Sequence, residues 1–149
     1  MSGRRQEAEM ATAAYDQDNI FAKILRGEIP CTKVFEDEAA LAFMDIMPRA
    51  DGHVLVIPKI AARGLLDMPA GALGPYMERV QRIAAATMKG MRAEGLLLQQ
   101  FNEEAGGQVV FHLHVHILPR WHGVSLRPPG KITEGAILEE HAARIRAAL

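Results

Sequence analysis

Apolar positions recur along this chain in two rhythms, one helical and one alternating. Ile20, Phe21, Ile24 and Leu25 make an apolar side for a short helix over 19–26, with Asp18 or Asn19 as its cap and Gly27 as its stop. Leu73, Tyr76, Met77, Val80, Ile83, Ala84, Thr87, Met88 and Met91 keep the i, i+3, i+4, i+7 spacing. They predict one long helix over 69–93, ended by Gly95. Short apolar runs bounded by turn residues predict strands over 32–36, 40–44, 53–57, 96–101 and 111–118. Asp37-Glu38 turns between the first two, Pro48, Asp51 and Gly52 mark a loop, and Pro58 closes the third. A terminal helix is predicted over 134–148, with Ile137, Leu138, His141 and Ile145 on one side. Strands come in adjacent pairs and the long helix follows three of them. That order predicts an α+β fold, an antiparallel sheet with the helix packed on one face. The domain is expected over 18–149, ending in a C-terminal helical extension, and the polar, alanine-rich stretch 1–17 reads as a disordered tail.

Composition narrows the functional classes. The 149 residues suit one domain, and 49% hydrophobic content is enough for a core. Seventeen basic against 18 acidic residues leave no basic surplus, which argues against nucleic acid as a partner. Cys31 is the single cysteine, so there is no intrachain disulfide and no CxxC knuckle. No apolar stretch reaches the roughly 20 residues of a membrane span, and the N-terminus lacks the apolar core of a secretory signal. A cytoplasmic protein without membrane association is expected, starting at Met1 or Met10.

The chemistry concentrates in His112-Leu113-His114-Val115-His116-Ile117-Leu118. Read as a strand, the run sends three imidazoles to one face, roughly 7 Å apart, and the aliphatic residues to the other. An exposed strand face would normally mix Thr, Lys, Glu and Ser, so a chance surface is a poor account. Two alternatives stay open on these residues. Two histidines at i and i+2 with a third nitrogen, such as that of His53, can ligate zinc, although no carboxylate or cysteine adjoins the run. A neutral imidazole can also attack phosphorus, with its neighbours fixing the tautomer or protonating a leaving group. The glycines in Gly106-Gly107-Gln108, just upstream, would let backbone N–H groups approach a phosphate.

His112 to Leu118 resembles the signature of the histidine-triad (HIT) superfamily, His-φ-His-φ-His-φ-φ with φ hydrophobic. Asp18 to Ile24, Gly27 to Pro30, Phe35 to Asp37, Leu41 to Ile46, His53 to Lys59, Phe101 to Glu103 and Gly106 to Gln108 are similar to its Hint-like branch. The resemblance implies the HIT-like fold, a five-stranded antiparallel sheet with one long helix and short helices, in a homodimer. It implies a nucleotide hydrolase or transferase that releases nucleoside monophosphate through a nucleotidyl-histidine, without a cofactor. On that resemblance His114 is the nucleophile, His112 and His53 orient it, and His116 meets the phosphate and leaving group. Asp45 takes the ribose hydroxyls. Asn102, Gly107 and Gln108 line the phosphate, and Ile20, Phe21, Phe43, Ile46 and Leu55 line a purine slot. Without the resemblance, Ile20, Phe21, Phe43 and Leu55 read as core, Asp45 as a loop-capping aspartate and His53 as a strand-end histidine.

Three departures bear on the expectation. Val109 stands where Hint-like proteins commonly have a serine, so it can offer the phosphate only its backbone N–H. Asn19 and Ala22 replace the cysteine pair of zinc-binding relatives, and Ala61 replaces a histidine, so no structural metal is expected. The expected substrates are purine nucleoside phosphoramidates or phosphoanhydrides. The alternatives are dinucleoside polyphosphates, since Glu104-Ala105-Gly106 partly resembles the loop of the fragile-histidine-triad branch, or nucleotide binding with little catalysis.

Overall fold

A computed structural model describes residues 14–149. Asn19 starts the first helix, accepting the Ala22 N–H on its Oδ1 at 2.9 Å. This is an N-cap bond of the kind worth about 1 kcal/mol. Helix α1 (Ile20–Leu25) follows, and Gly27, at φ +77°, turns the chain away. Most of the tail expected over 1–17 lies outside the described residues. Its last four residues are described, and Tyr15 among them is half-buried against His112.

Strands β1 (Lys33–Glu36) and β2 (Ala40–Met44) form a hairpin whose turn is organised by Asp37. Asp37 Oδ1 accepts the N–H groups of Ala39 and Ala40 at 2.9 and 3.0 Å. Strand β3 (Val54–Pro58) pairs with β2 throughout, and strands β4 (Gly95–Gln99) and β5 (Val115–Arg120) complete the sheet. The strand order is β1-β2-β3-β5-β4, and every neighbouring pair is antiparallel. The five-stranded α+β architecture is therefore as expected.

Helix α2 (Ala70–Gly90) covers one face of the sheet. Tyr76, Val80, Ile83, Ala84 and Thr87 are buried as their spacing predicts, whereas Met77 and Met88, placed on the same side by periodicity, are exposed. Tyr76 O–H donates to the Val56 carbonyl at 2.7 Å and so fastens the helix to the middle of β3. The helix stops before its expected end. Met91 caps it, Arg92 takes φ +51°, and Gly95 opens β4 rather than ending the helix. Helix α3 (Gly135–Arg146) buries Leu138, Ala142 and Ile145 against α2 and β1, while His141 is only half-buried. Burying Leu138 and Ile145 stabilises the fold by roughly 1.5–3 kcal/mol each. Arg146 donates to the Lys33 carbonyl at 2.6 Å, tying this helix to one edge of the sheet.

Alternation in the strands sorts side chains between two faces. Ala40, Ala42, Met44, Val54, Val56, Val115 and Ile117 join the core under α2 and α3. Leu41, Phe43, Leu55 and Ile57 join Phe21 in a second cluster on the opposite face. No helix among the described residues is long and apolar enough to cross a membrane.

The strand expected over 111–118 begins only at Val115 and runs to Arg120, so His112 and His114 precede it. The pairing of β3 with β5 is Val54–Ile117, Leu55–His116 and Val56–Val115. Continued, that register would set Pro58 opposite Leu113, and proline has no N–H for a ladder. Leu113 N–H bonds to the Ala62 carbonyl instead, at 2.8 Å.

Candidate active site

On the face away from α2, a cleft of about 370 Å³ opens between α1, the β2–β3 loop and the segment leading into β5. Ile20, Phe21, Phe43, Asp45, Ile46, Leu55, Gly107, Val109, His114 and His116 line it, as does a set the sequence did not single out: Ile24, Ile29, Pro30, Cys31, Met44, Met47, Phe101 and Val110. The wall is mostly aliphatic and aromatic. Asp45 and the two histidines are its charged or titrating groups apart from Cys31, and among the described residues no lysine or arginine lines it.

Four histidines meet at its polar end, and their hydrogen bonds assign every ring proton. His114 donates Nδ1–H to the His112 carbonyl at 2.6 Å, which leaves a bare lone pair on Nε2. His112 donates Nε2–H to the Pro58 carbonyl at 2.8 Å, so its Nδ1 accepts, and Tyr15 O–H donates to it at 2.5 Å. His53 Nδ1 accepts the Arg49 N–H at 3.1 Å, so its proton sits on Nε2. That proton points to His116 Nδ1, 2.9 Å away, and the proton of His116 therefore sits on Nε2. The outcome is an unprotonated nitrogen on His114 and an N–H on its neighbour His116, whose ring centroid is 5.0 Å away. Phe21 meets the His114 ring edge-on at 4.9 Å, and Phe101 meets that of His116 at 5.7 Å.

Burial keeps these rings neutral. It holds His112 and His53 down at about 4, against opposition from the Pro58 carbonyl for the first and from Asp45 for the second. His116 is pushed down to about 3 by burial and then by the charges of His114, His53 and Arg49. His114 is lowered by burial, opposed by its bond to the His112 carbonyl and by Asp45.

Asp45, His53 and His116 bring a carboxylate oxygen and two ring nitrogens within 4.8 Å of one another, a donor set of the kind zinc accepts. Asp45 Oδ2 lies 3.6 Å from His53 Nε2, beyond hydrogen-bond reach, while its Oδ1 accepts the Met47 N–H at 2.9 Å. The Arg49 N–H already occupies the Nδ1 lone pair of His53. A neutral His53 then carries its proton on Nε2 and has no lone pair there for a metal. The hydrogen bond between His53 and His116 uses the nitrogens a cation would need, with Asp45 beside the pair and not bonded to it.

Two expected phosphate ligands have other partners. Gln108 is buried and off the cleft wall: its Oε1 accepts the Glu103 N–H at 2.7 Å, and its Nε2 donates to the carbonyls of Arg63 and Val110 at 2.6 and 3.0 Å. Asn102 is also off the wall, with Oδ1 accepting from Leu65 N–H and Gln100 Nε2 and Nδ2 donating to Gln100 Oε1. Both amides shape the loop that presents Gly107. That glycine is at φ +97°, where a side chain would be strained, and a Cβ there would crowd the Phe101 ring at 3.3 Å. Glu103 sits at φ 64°, ψ 164°, a region that costs a non-glycine residue about 1–3 kcal/mol. Arg63 grips its carboxylate in a two-pronged ion pair at 2.7 and 2.9 Å. Val109 turns an 85% exposed side chain to the cleft mouth.

Comparison with known proteins agrees with this geometry. A family model, the HIT domain, matches residues 26–123. The adenylylsulfatase HINT3 of Arabidopsis thaliana is 35% identical over 132 residues, covering 85% of this chain and 67% of its own length. The adenosine 5'-monophosphoramidase HNT1 of Saccharomyces cerevisiae is 37% identical over 74% of this chain and 67% of its own. Among solved structures, a Hit-like protein of Bartonella henselae involved in cell-cycle regulation is 54% identical, with a TM-score of 0.88 over 91% of this chain and 99% of its own. A zinc-bound histidine triad protein of Mycobacterium smegmatis is 34% identical, with a TM-score of 0.77 over 89% and 93%.

Proposed function

The chain belongs to the HIT domain family, and from that membership and its histidine geometry we propose a nucleotide hydrolase that works through a nucleotidyl-histidine. One observation carries the reading: His114 is held as the Nδ1–H tautomer, which turns an unprotonated Nε2 to the cleft. That nitrogen attacks the phosphorus of a nucleoside monophosphoryl group, forming an N–P bond as the bond to the leaving group breaks. His116 Nε2–H hydrogen-bonds the departing atom, which takes its proton from solvent water as it leaves. Water then attacks the phosphorus and loses a proton to solvent, the N–P bond breaks, His114 regains its lone pair, and nucleoside monophosphate is released. The long apolar wall from Phe21 and Phe43 to Ile29 suits a purine, and Asp45 at its polar end suits the ribose hydroxyls.

Two relatives are named for adenylyl sulfate and for an adenosine phosphoramidate. Both names describe one adenylyl group joined to a small leaving group. The cleft wall favours the same class over dinucleoside polyphosphates, whose additional charges would find no lysine or arginine there among the described residues. We therefore infer a purine nucleoside phosphoramidate or a comparable mixed anhydride as substrate. The test is turnover of adenosine 5'-phosphoramidate and of a diadenosine polyphosphate by wild type and His114→Ala. Loss of several decades in rate, and of the acid-quenched nucleotidyl-enzyme seen by mass, is expected in the variant. A variant that keeps full turnover sinks the mechanism, and faster cleavage of the polyphosphate by wild type sinks the substrate class.

A further inference from the structure

The segment that carries His114 lies ahead of β5, so no sheet ladder holds it. Its anchorage comes from individual bonds: Leu113 N–H to the Ala62 carbonyl, His112 Nε2–H to the Pro58 carbonyl, and Tyr15 O–H to His112 Nδ1. The last of these crosses 97 positions of sequence. It also starts outside the stretch that matches the HIT domain, residues 26–123. The Pro58 carbonyl can only accept, so His112 Nδ1 can only accept in turn, and the phenol is the donor. The two rings meet edge-on, 5.5 Å apart and at 70°, which adds packing to the hydrogen bond.

We propose that Tyr15 is a positioning residue of the catalytic centre, supplied by the segment that precedes the family domain. The Pro58 carbonyl fixes the tautomer of His112, and the Tyr15 hydroxyl, holding the opposite nitrogen, fixes the orientation of the ring. The His112 main chain then stays where its carbonyl receives Nδ1–H of His114, and the lone pair of His114 stays aimed into the cleft. Removing the hydroxyl leaves a buried ring nitrogen without a donor. The ring is then held through Nε2–H alone and can rock about the Pro58 carbonyl, and the His114 segment slackens. Tyr15 does not line the cleft, so substrate affinity should not report its loss. The catalytic half of this inference rests on His114 as nucleophile, and the half that concerns the tethered His112 ring does not.

The full-length chain with Tyr15→Phe or Tyr15→Ala tests both halves, read by adenosine phosphoramidate kinetics, by ¹⁵N resonances of the His112 ring and by thermal melting. Tyr15→Phe should lower kcat about three- to tenfold, the scale of one lost buried hydrogen bond, with KM within about twofold. The His112 ring should stay protonated on Nε2, while its Nδ1 resonance shifts as that of an acceptor nitrogen losing its donor. An unchanged kcat with an unchanged ring signature overturns the proposal. So does a loss confined to Tyr15→Ala, which would assign the effect to ring packing alone. If wild type turns over no phosphoramidate, the reading of His114 fails separately. The ring signature of Tyr15→Phe then decides the tether by itself, and no change there overturns it.

Discussion

A neutral imidazole has one proton and two nitrogens, so whatever binds one nitrogen dictates the work of the other. The rule runs here through a chain of partners: the Arg49 N–H sets His53, His53 sets His116, and the His112 carbonyl sets His114. In the resting site it divides the labour between a nucleophile and a hydrogen-bond donor with every ring neutral. His116→Asn should therefore slow turnover in proportion to how badly the leaving group needs that hydrogen bond. The expected loss is about 10²–10⁴-fold for an alkylamine and smaller for a leaving group that departs as a stable anion. Equal losses across a leaving-group series would remove His116 from that role. Much of this was legible in the residues alone. The spacing of His112, His114 and His116 marks the site and, with the glycines at Gly106 and Gly107, admits zinc or phosphorus chemistry, of which the family resemblance implies the second. Tyr15 was invisible, because a single tyrosine in a polar, alanine-rich stretch has no periodicity, and its partner lies 97 positions away. Asn102 and Gln108 come to the phosphate only through the family resemblance, and sequence does not show that the Gln100 side chain and nearby backbone groups hold their amides.

Element boundaries moved for local reasons. The alternation of His112 to Leu118 is a strand pattern, yet the ladder needs a partner with amides to give, and Pro58 ends that supply. Helix α2 shows the reverse case. Its periodic residues continue to Met91, but the chain must turn at Arg92 to enter β4, and the helix gives way. At Gly90 the helix also passes close to α3: a Cβ there would lie 2.5 Å from the backbone oxygen of Arg144. Arg144 Nε reaches the Gly90 carbonyl at 3.1 Å across the same crossing. Gly90→Ala should thus destabilise the protein by about 1–3 kcal/mol in urea unfolding. That sign opposes the gain of about 1 kcal/mol that alanine brings to an open helix site. A stabilised variant would show that the two helices separate at no cost.

For the molecule as a whole, the three buried histidines and the half-buried His116 couple folding to pH. In the folded chain His53 and His112 titrate at about 4 and His116 at about 3, against an ordinary value of 6.5. As pH falls below 6.5 the unfolded chain takes up protons that the folded chain refuses, so stability falls throughout that window. Carboxylates held low by ion pairs, such as Glu36 beside Lys33 and Lys59, lose their contribution only as pH drops below their ordinary 4.5. Urea midpoints should decline from neutrality down to about 5 in wild type, and the slope should flatten in His53→Asn; a flat wild-type profile would contradict the burial of these rings. The two-faced sheet has a consequence for variation as well. Ala40, Ala42 and Met44 look toward α2, whereas Leu41 and Phe43 look toward the cleft side, and Val54 and Val56 alternate with Leu55 and Ile57 in the same way. A saturation scan of these strands should be intolerant at both parities in an assay of abundance, since both faces are buried. Only Phe43 and Leu55, which also line the cleft, would report on substrate as well. Drift there would retune the base slot and the packing of one face together, so a change of specificity in this sheet would draw on the stability held by the other face.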